Sequence, residues 1–355
     1  MAEGTVALVG ATGFTGRLTL AALRRRGVQV RAIGRNRQKL DALAPGDGGV
    51  EARAVEWDAL ALADAMRGCV AVVSCAGPFV QAGHPVVEAA IRARLPYTDS
   101  TGEQAFVRWV FDDLMQPARA AGVALVPASG WDYLPGDLGA ALVAQGMGPL
   151  ERIDVVYASE SAATTVGTRV SGLGIAAAGG VTLRDGRLRP LRIGALRRSV
   201  DAGWGRVTGG LLPTAEPLWV PRHVDVGTVY AYLSVPGAMS PGAPGAGAFS
   251  TLLRVPGVVR LLERGARGGP EGPSGASREA RWACHVQATA RSGERRALRL
   301  DGRDVYGFTA EALSEMALRL AAADAAGACA PAEVVDAGGF LAATGVVVEE
   351  VAPEP

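Results

Sequence analysis

The sequence predicts an α/β protein: an N-terminal doubly wound parallel sheet, followed by an α+β domain with a mainly antiparallel sheet. Three observations carry this. Short apolar runs alternate with helical patterns from residue 5 to residue 127. The first run, Thr5-Val6-Ala7-Leu8-Val9, enters a glycine turn and then a helical stretch. Beyond Pro127 the runs alternate apolar with polar and are joined by Asp185-Gly186 and Ser292-Gly293 turns.

In the first half, strands are expected at 5–9, 28–33, 50–56, 70–75, 96–99 and 122–127. Helices fill the gaps at 14–26, 36–44, 59–67, 84–94 and 103–121. Gly27 and Gly122 stand where helix C-termini favour a residue without a Cβ. In the second half, strands are expected at 151–159, 226–235, 281–290 and 295–300, with a hairpin over 181–192. Helices are expected at 164–178, 250–264 and 308–326, and loops at 240–247 and 265–277. These give a first domain at 1–130, a second at 131–305, and a C-terminal helix and tail, 306–355, returning to the first.

Composition limits the chemistry. Of 355 residues 49% are hydrophobic and 20% charged, which suits a globular chain with a sizeable core. The net charge of +1 provides no field to recruit nucleic acid or an acidic membrane. Lys39 is the only lysine; every other basic residue is arginine. It follows no phosphate-loop glycines and has no tyrosine four residues before it, which removes the Walker loop and the Tyr-x-x-x-Lys pair. Cys69, Cys75, Cys284 and Cys329 form no CxxC pair, and His84, His223 and His285 have no metal-type spacing, so no metal is expected. The cysteine usage, with no signal peptide or membrane-length run recognised, gives a cytoplasmic expectation.

Gly10-Ala11-Thr12-Gly13-Phe14-Thr15-Gly16 brings backbone amides and a helix N-terminus together. That arrangement grips a dinucleotide diphosphate. At the end of the second strand, Ile33-Gly34-Arg35-Asn36-Arg37 lacks the carboxylate that would bond a free ribose 2′-hydroxyl. Arg35 instead offers a fork for a 2′-phosphate, with Arg37 and Lys39 as helpers, so NADP(H) is the expected cofactor. Ala76 and Gly77 end the fourth strand and let backbone lie near the cofactor; Pro78-Phe79 stiffens that turn. Cys75 reads as a packing residue. Asp99, Thr101 and Glu103 follow the fifth strand and read as loop-fixing or capping residues before catalytic ones. Trp131, Asp132, Tyr133 and Asp137 crowd the crossover after the sixth strand. Tyr133, Asp132 and Tyr97 are the candidate proton donors or substrate-positioning groups, with water as the other proton source; an interdomain hinge with Asp132 and Asp137 as caps is the competing reading.

Together, GATGFTG (10–16), SCAGPF (74–79) with Gly83, YTDSTGE (97–103) and GWDYLPGDLG (130–139) resemble the saccharopine dehydrogenase-like oxidoreductases, in the branch of the trans-acting enoyl reductases. The resemblance is close over 1–140 and returns in YGFTAEA (306–312) and at Ala330-Pro331-Ala332. It implies a Rossmann domain, a mixed second domain and a nicotinamide cofactor contacted at Gly10, Thr12, Gly13, Phe14, Thr15, Gly16, Arg35, Ala76 and Gly77. For the enoyl reductases it implies reduction of a carbon–carbon double bond in an acyl chain carried by a polyketide synthase. For saccharopine enzymes it implies carbon–nitrogen chemistry between amino acids; that chemistry requires arginines converging on substrate carboxylates, for which Arg169 and Arg222 are candidates that nothing in the sequence fixes near the nicotinamide. Two departures touch the substrate: Ala163-Thr164-Thr165-Val166-Gly167-Thr168 replaces a glycine-serine motif, and Trp131-Asp132 replaces Phe-Asp or Tyr-Asp.

Three readings therefore stand: an NADPH-dependent enoyl reductase, a carbon–nitrogen oxidoreductase, and an NADP-binding protein without turnover. The six arginines between Arg184 and Arg198 either dock an acidic acyl carrier protein or form a solvated hairpin. A homodimer stays open.

Overall fold

The computed structural model describes residues 4–44, 48–237, 240–241, 246–253, 255 and 257–355. It divides into two compact units. The first is the chain up to Trp131 with Tyr306–Val335; the second is Asp132–Val305 with Asp336–Pro355.

The first unit runs β1 (Thr5–Val9), α1 (Phe14–Arg25), β2 (Gln29–Gly34), α2 (Arg37–Asp41), β3 (Val50–Ala54), α3 (Ala59–Met66), β4 (Cys69–Ser74), α4 (Phe79–Ala82), α5 (His84–Ala93), β5 (Tyr97–Asp99), α6 (Gln104–Asp113), α7 (Met115–Ala121) and β6 (Ala124–Val126). All strand pairs are parallel, in the order β3-β2-β1-β4-β5-β6, with the short strand Gly327–Ala328 completing the edge beside β6. Successive side chains of a strand point to opposite faces, so β1 must be apolar throughout to be covered on both. Val6 and Leu8 pack with Leu20 and Leu23 of α1 and with Leu313 and Ala317 of the C-terminal helix. Ala7 and Val9 pack with Leu62 and Met66 of α3 and Val86 of α5.

Two helices differ from expectation. The run 103–121 is broken at Leu114 into α6 and α7. Pro117 lacks an N–H, and its ring would meet the Asp113 carbonyl in a continuous helix. The short α4 was not expected, since its stabilising partner, Glu103, lies twenty-four residues along the chain.

The second unit contains α8 (Leu134–Val143), β7 (Leu150–Ser159), α9 (Val166–Ala178), β8 (Gly180–Arg184), β9 (Arg187–Leu191), β10 (Arg197–Asp201), β11 (Arg206–Leu211), α10 (Glu216–Trp219), β12 (Val226–Ser234), α11 (Ala246–Leu252), α12 (Val258–Arg267), β13 (Arg281–Ala290) and β14 (Arg295–Arg303). After these come α13 (Val305–Ala322), β15 (Gly327–Ala328), α14 (Pro331–Val334), α15 (Ala337–Ala343) and β16 (Val347–Val351). The sheet order is β10-β11-β12-β7-β13-β14-β16, antiparallel except for β12 against β7, and β8 pairs β12 and β9. Asp185 and Gly186 both have positive φ, 52° and 70°, which gives the β8–β9 hairpin its right-handed match to the strands.

The tail corrects the expected boundary. The whole of 306–355 was expected with the first domain, but Asp336–Pro355 belongs to the second unit. There β16 pairs antiparallel with β14, from Ala297↔Val351 to Asp301↔Val347. β10 was also unforeseen, because Arg197-Arg198-Ser199-Val200-Asp201 buries only Val200 and carries little apolar signal. The helix expected at 250–264 is two helices, α11 and α12; residues 254 and 256 lie outside the described residues. Within the expected loop 240–247, residues 242–245 lie outside the described residues, and Ala246 already begins α11.

Candidate nucleotide-binding site

The first unit builds its site where β1 and β4 diverge, the point at which strand order reverses and a crevice opens at the carboxyl ends of a doubly wound sheet. The three glycines of the turn do different work. Gly10 has φ +80°, and a Cβ there would lie 2.9 Å from the Ala76 amide nitrogen. A Cβ on Gly16 would fall 2.1 Å from the Gly10 carbonyl oxygen, so this glycine lets α1 press against β1. Gly13 is exposed, and its Cβ would meet only the Gly10 oxygen, at 3.5 Å. The fold therefore demands glycine at 10 and 16 but leaves space at 13, a space that a bound diphosphate would use.

Gly13 is the N-cap of α1, with no side-chain cap and no acidic residue in the first turn. The first-turn amides of a helix have no intrahelical acceptor and carry partial positive charge. Thr12, Phe14 and Thr15 are half-buried around them. The Thr12 carbonyl accepts from Arg17 at 2.7 Å, and the Phe14 ring meets Tyr306 edge-on at 5.4 Å. Across the crevice, the Cys75 amide donates to the Val9 carbonyl at 2.8 Å, which seats Ala76 and exposed Gly77 beside Gly10. The Gly77-Pro78 peptide is cis.

Arg35 is exposed just past β2. Asn36 caps α2 by accepting from the Lys39 amide at 2.9 Å, and Arg37 pairs with Asp41, also at 2.9 Å. Arg37 is thus committed, whereas Arg35 has its Cζ 5.2 Å from the centroid of the Trp57 ring. Trp57 carried no motif and was missed; the only available signal was a lone tryptophan just past a strand.

The loops beyond β4, β5 and β6 are fixed by buried carboxylates. Asp99 Oδ1 accepts from the amides of Thr101 and Ala128, both at 2.8 Å. Ala128 holds the left-handed φ of +58°, a conformation that needs such support. Burial outweighs these bonds and pushes the Asp99 carboxyl up to about 6. Glu103 does not cap its own helix; its oxygens accept from the amides of Phe79 and Val80 at 2.8 and 3.0 Å, capping α4. Burial pushes the Cys75 thiol up to about 12, with Thr19 Oγ1 at 3.7 Å, so Cys75 is a packing residue.

The three candidate acids fare differently. Tyr97 is fully buried in the core of the first unit, and burial with the nearby Asp99 carboxylate drives its phenol well above its ordinary range. A phenol sealed in the core reaches no substrate, which corrects its assignment as a proton donor. Tyr133, in the second unit, is buried, meets Trp219 edge-on at 6.1 Å and donates to the Pro213 carbonyl at 3.5 Å. That is a structural engagement, not a free acid. Asp132 alone of the three is exposed. Asp137 is buried and pairs with His223 Nε2 at 2.8 Å. Among the described residues, no three His, Cys, Asp or Glu side chains are placed to hold a metal. No helix among them is long and apolar enough to cross a membrane.

The parallel sheet, glycine crevice and uncapped helix define a class of fold: a Rossmann-type dinucleotide-binding domain joined to a mixed α/β unit. Residues 10–124 match the model of an NAD(P)H-binding family. The particular likeness is to the trans-acting enoyl reductases. One relative, the trans-acting enoyl reductase of Mycobacterium tuberculosis, is 32% identical over 147 residues, which are 38% of this chain and 34% of the relative. The trans-acting enoyl reductase of Mycobacterium ulcerans is 33% identical over 147 residues, again 38% and 34% of the two chains. The match thus spans about a third of those relatives' length. The fold over nearly the whole chain is that of saccharopine dehydrogenase (L-Glu forming) from Saccharomyces cerevisiae, with a TM-score of 0.66 at 12% identity, covering 99% of this chain and 100% of the other.

Proposed function

We propose that the protein is an NADPH-dependent reductase of a carbon–carbon double bond in an unsaturated acyl group presented on a carrier. The cofactor choice rests on one observation: the accessible Arg35 past β2, with no carboxylate beside it in the sequence and its neighbour Arg37 already paired with Asp41. A planar fork that makes no ion pair suits a 2′-phosphate and gives a free 2′-hydroxyl no acceptor. The substrate class rests on the named activity of the mycobacterial relatives.

When bound, the reduced nicotinamide supplies hydride to the electron-poor alkene carbon. The chain's own residues do the rest. The amides at the head of α1 hold the diphosphate, Gly13 gives it room, and Ala76 and Gly77 leave backbone clear on the other side of the crevice. Holding donor and acceptor in near-attack geometry supplies much of the rate. The alkene's second carbon takes a proton, for which Asp132, the exposed one of the candidate acids, is the donor in this reading.

The test is NADPH oxidation, followed by absorbance, with enoyl thioesters on coenzyme A and on an acyl carrier protein. The reading expects turnover with NADPH, a clear preference over NADH, and lower turnover but unchanged NADPH affinity in Asp132→Asn. No consumption with any enoyl thioester, or consumption that requires an amino acid and a keto acid, would overturn it.

A further inference from the structure

The NADP reading leaves open how an exposed arginine on a loop becomes selective, since a free side chain loses rotamer entropy on binding that offsets much of what its bonds contribute. Trp57 supplies an answer. It lies three residues beyond β3 and is half-buried, packed against the α3–α5 side of the first unit's core. Its Nε1–H donates to the Ala82 carbonyl at 3.0 Å, at the C-terminal end of α4, which fixes the plane of the ring. The Arg35 guanidinium rests at 5.2 Å from that ring's centroid and makes no ion pair among the described residues. Three carboxylates of the adjoining segments are engaged elsewhere, while Glu56, next to Trp57 in the chain, is exposed and makes no ion pair among the described residues. Glu51 is held by Arg31 and Arg53, Asp41 by Arg37, and Asp58 caps α3 through the Leu60 and Ala61 amides.

A cation against an aromatic ring is attracted through the ring's quadrupole and donates no N–H to it, so its N–H groups stay free for an anion. We propose that Trp57 is a specificity-determining positioning residue: it holds Arg35 ready, so that the guanidinium meets the 2′-phosphate of NADP at little entropic cost. This rests on the NADP reading above and goes beyond it by assigning the selectivity to a pair of residues. Ala82 ends the helix whose N-terminus Glu103 caps, so the same tether joins the arginine's platform to the turn at Gly77–Phe79.

The experiment is calorimetric titration of the purified chain with NADP⁺ and NAD⁺, and with 2′,5′-ADP and 5′-AMP, which differ by the one phosphate. Wild type, Trp57→Phe, Trp57→Ala, Arg35→Ala and the Arg35→Ala/Trp57→Ala pair are compared, each with a thermal melt. Trp57→Ala is expected to weaken NADP⁺ and 2′,5′-ADP about two- to fivefold, as a partly exposed cation–π contact would. It should leave NAD⁺ and 5′-AMP unchanged, and Trp57→Phe should keep most of the affinity. In the Arg35→Ala background the tryptophan change should have no further effect. Equal weakening of both nucleotides, no weakening of either, or a full effect without Arg35 would overturn the proposal while leaving the NADP reading intact. A wild-type chain that binds NAD⁺ as tightly as NADP⁺ would overturn the NADP reading itself, and this proposal with it. If Trp57→Ala melts before titration, Trp57→Leu, which fills the space without a ring, decides: a loss confined to the 2′-phosphorylated ligands and absent in the Arg35→Ala/Trp57→Leu pair supports the proposal, and an equal loss on both ligands or no loss overturns it.

Discussion

At the scale of single residues, the glycine turn separates what the fold needs from what a ligand needs. Gly16 cannot accept a Cβ, because the atom it would strike, the Gly10 carbonyl oxygen, belongs to rigid backbone. Gly13 can accept one. Gly16→Ala should therefore lower the melting temperature and the yield of folded protein, by a cost of about 1–3 kcal/mol as for other overpacked positions. Gly13→Ala should melt like wild type yet bind NADP⁺ at least tenfold more weakly, because the methyl occupies the place of the diphosphate; calorimetry and a thermal melt on both variants check this. The sequence shows the three glycines as equals, since spacing carries no record of which backbone atom lies opposite each Cα. Tyr97 makes the same point from the other side. Its polar neighbours in YTDSTGE suggested an active group, but strand periodicity does not reveal that β5 is covered on both faces.

At the scale of elements, a strand's polarity decided how legible it was. β1, β4 and β12 are apolar enough to be read directly, and the Asp185-Gly186 hairpin was visible because few dipeptides adopt two consecutive left-handed residues. β10 and α4 were not visible: one is mostly charged, and the other owes its N-cap to a distant glutamate. The β8–β9 hairpin shows Arg184, Arg187, Arg189 and Arg192 exposed, with Asp185 the only carboxylate between them and 3.6 Å from Arg184. Such a surface attracts an acidic partner over the screening distance, an effect that appears mainly in association rate. Replacing Arg187, Arg189 and Arg192 with serine should lower kcat/KM for an enoyl group on an acidic carrier protein about three- to tenfold at low salt. Turnover of the same group on a small thioester should be unchanged. Steady-state kinetics at two ionic strengths measure both.

At the scale of the whole molecule, the second unit has a buried cluster with a pH signature. Glu216 is fully buried on α10, accepts from the Tyr157 hydroxyl at 2.5 Å, and lies near Asp137. Burial pushes its carboxyl up to about 7 from 4.5. A carboxyl that binds its proton more tightly folded than unfolded stabilises the fold below its unfolded pKa and loses that contribution as pH rises toward the folded value. Between pH 4.5 and 7 wild-type stability from this group should thus fall, by about 2 kcal/mol. Glu216→Gln, which keeps an acceptor for Tyr157, should flatten that slope and be the more stable protein at pH 8; denaturant unfolding at pH 5 and pH 8 tests the sign. The residues of this cluster are spread over 136–223 in the chain, which is why no motif announced it.

The chain by itself determined the alternation of strands and helices, the dinucleotide turn and the basic residue at the end of the second strand, because these depend on local spacing and on the chemistry of single side chains. Tertiary structure decided which glycine leaves room for a ligand, which arginine stays uncommitted, which tyrosines are sealed away, and that the last strand joins the second sheet. Those are matters of what lies opposite a residue in space, and residues brought opposite each other by strand pairing and packing carry no fixed separation in sequence.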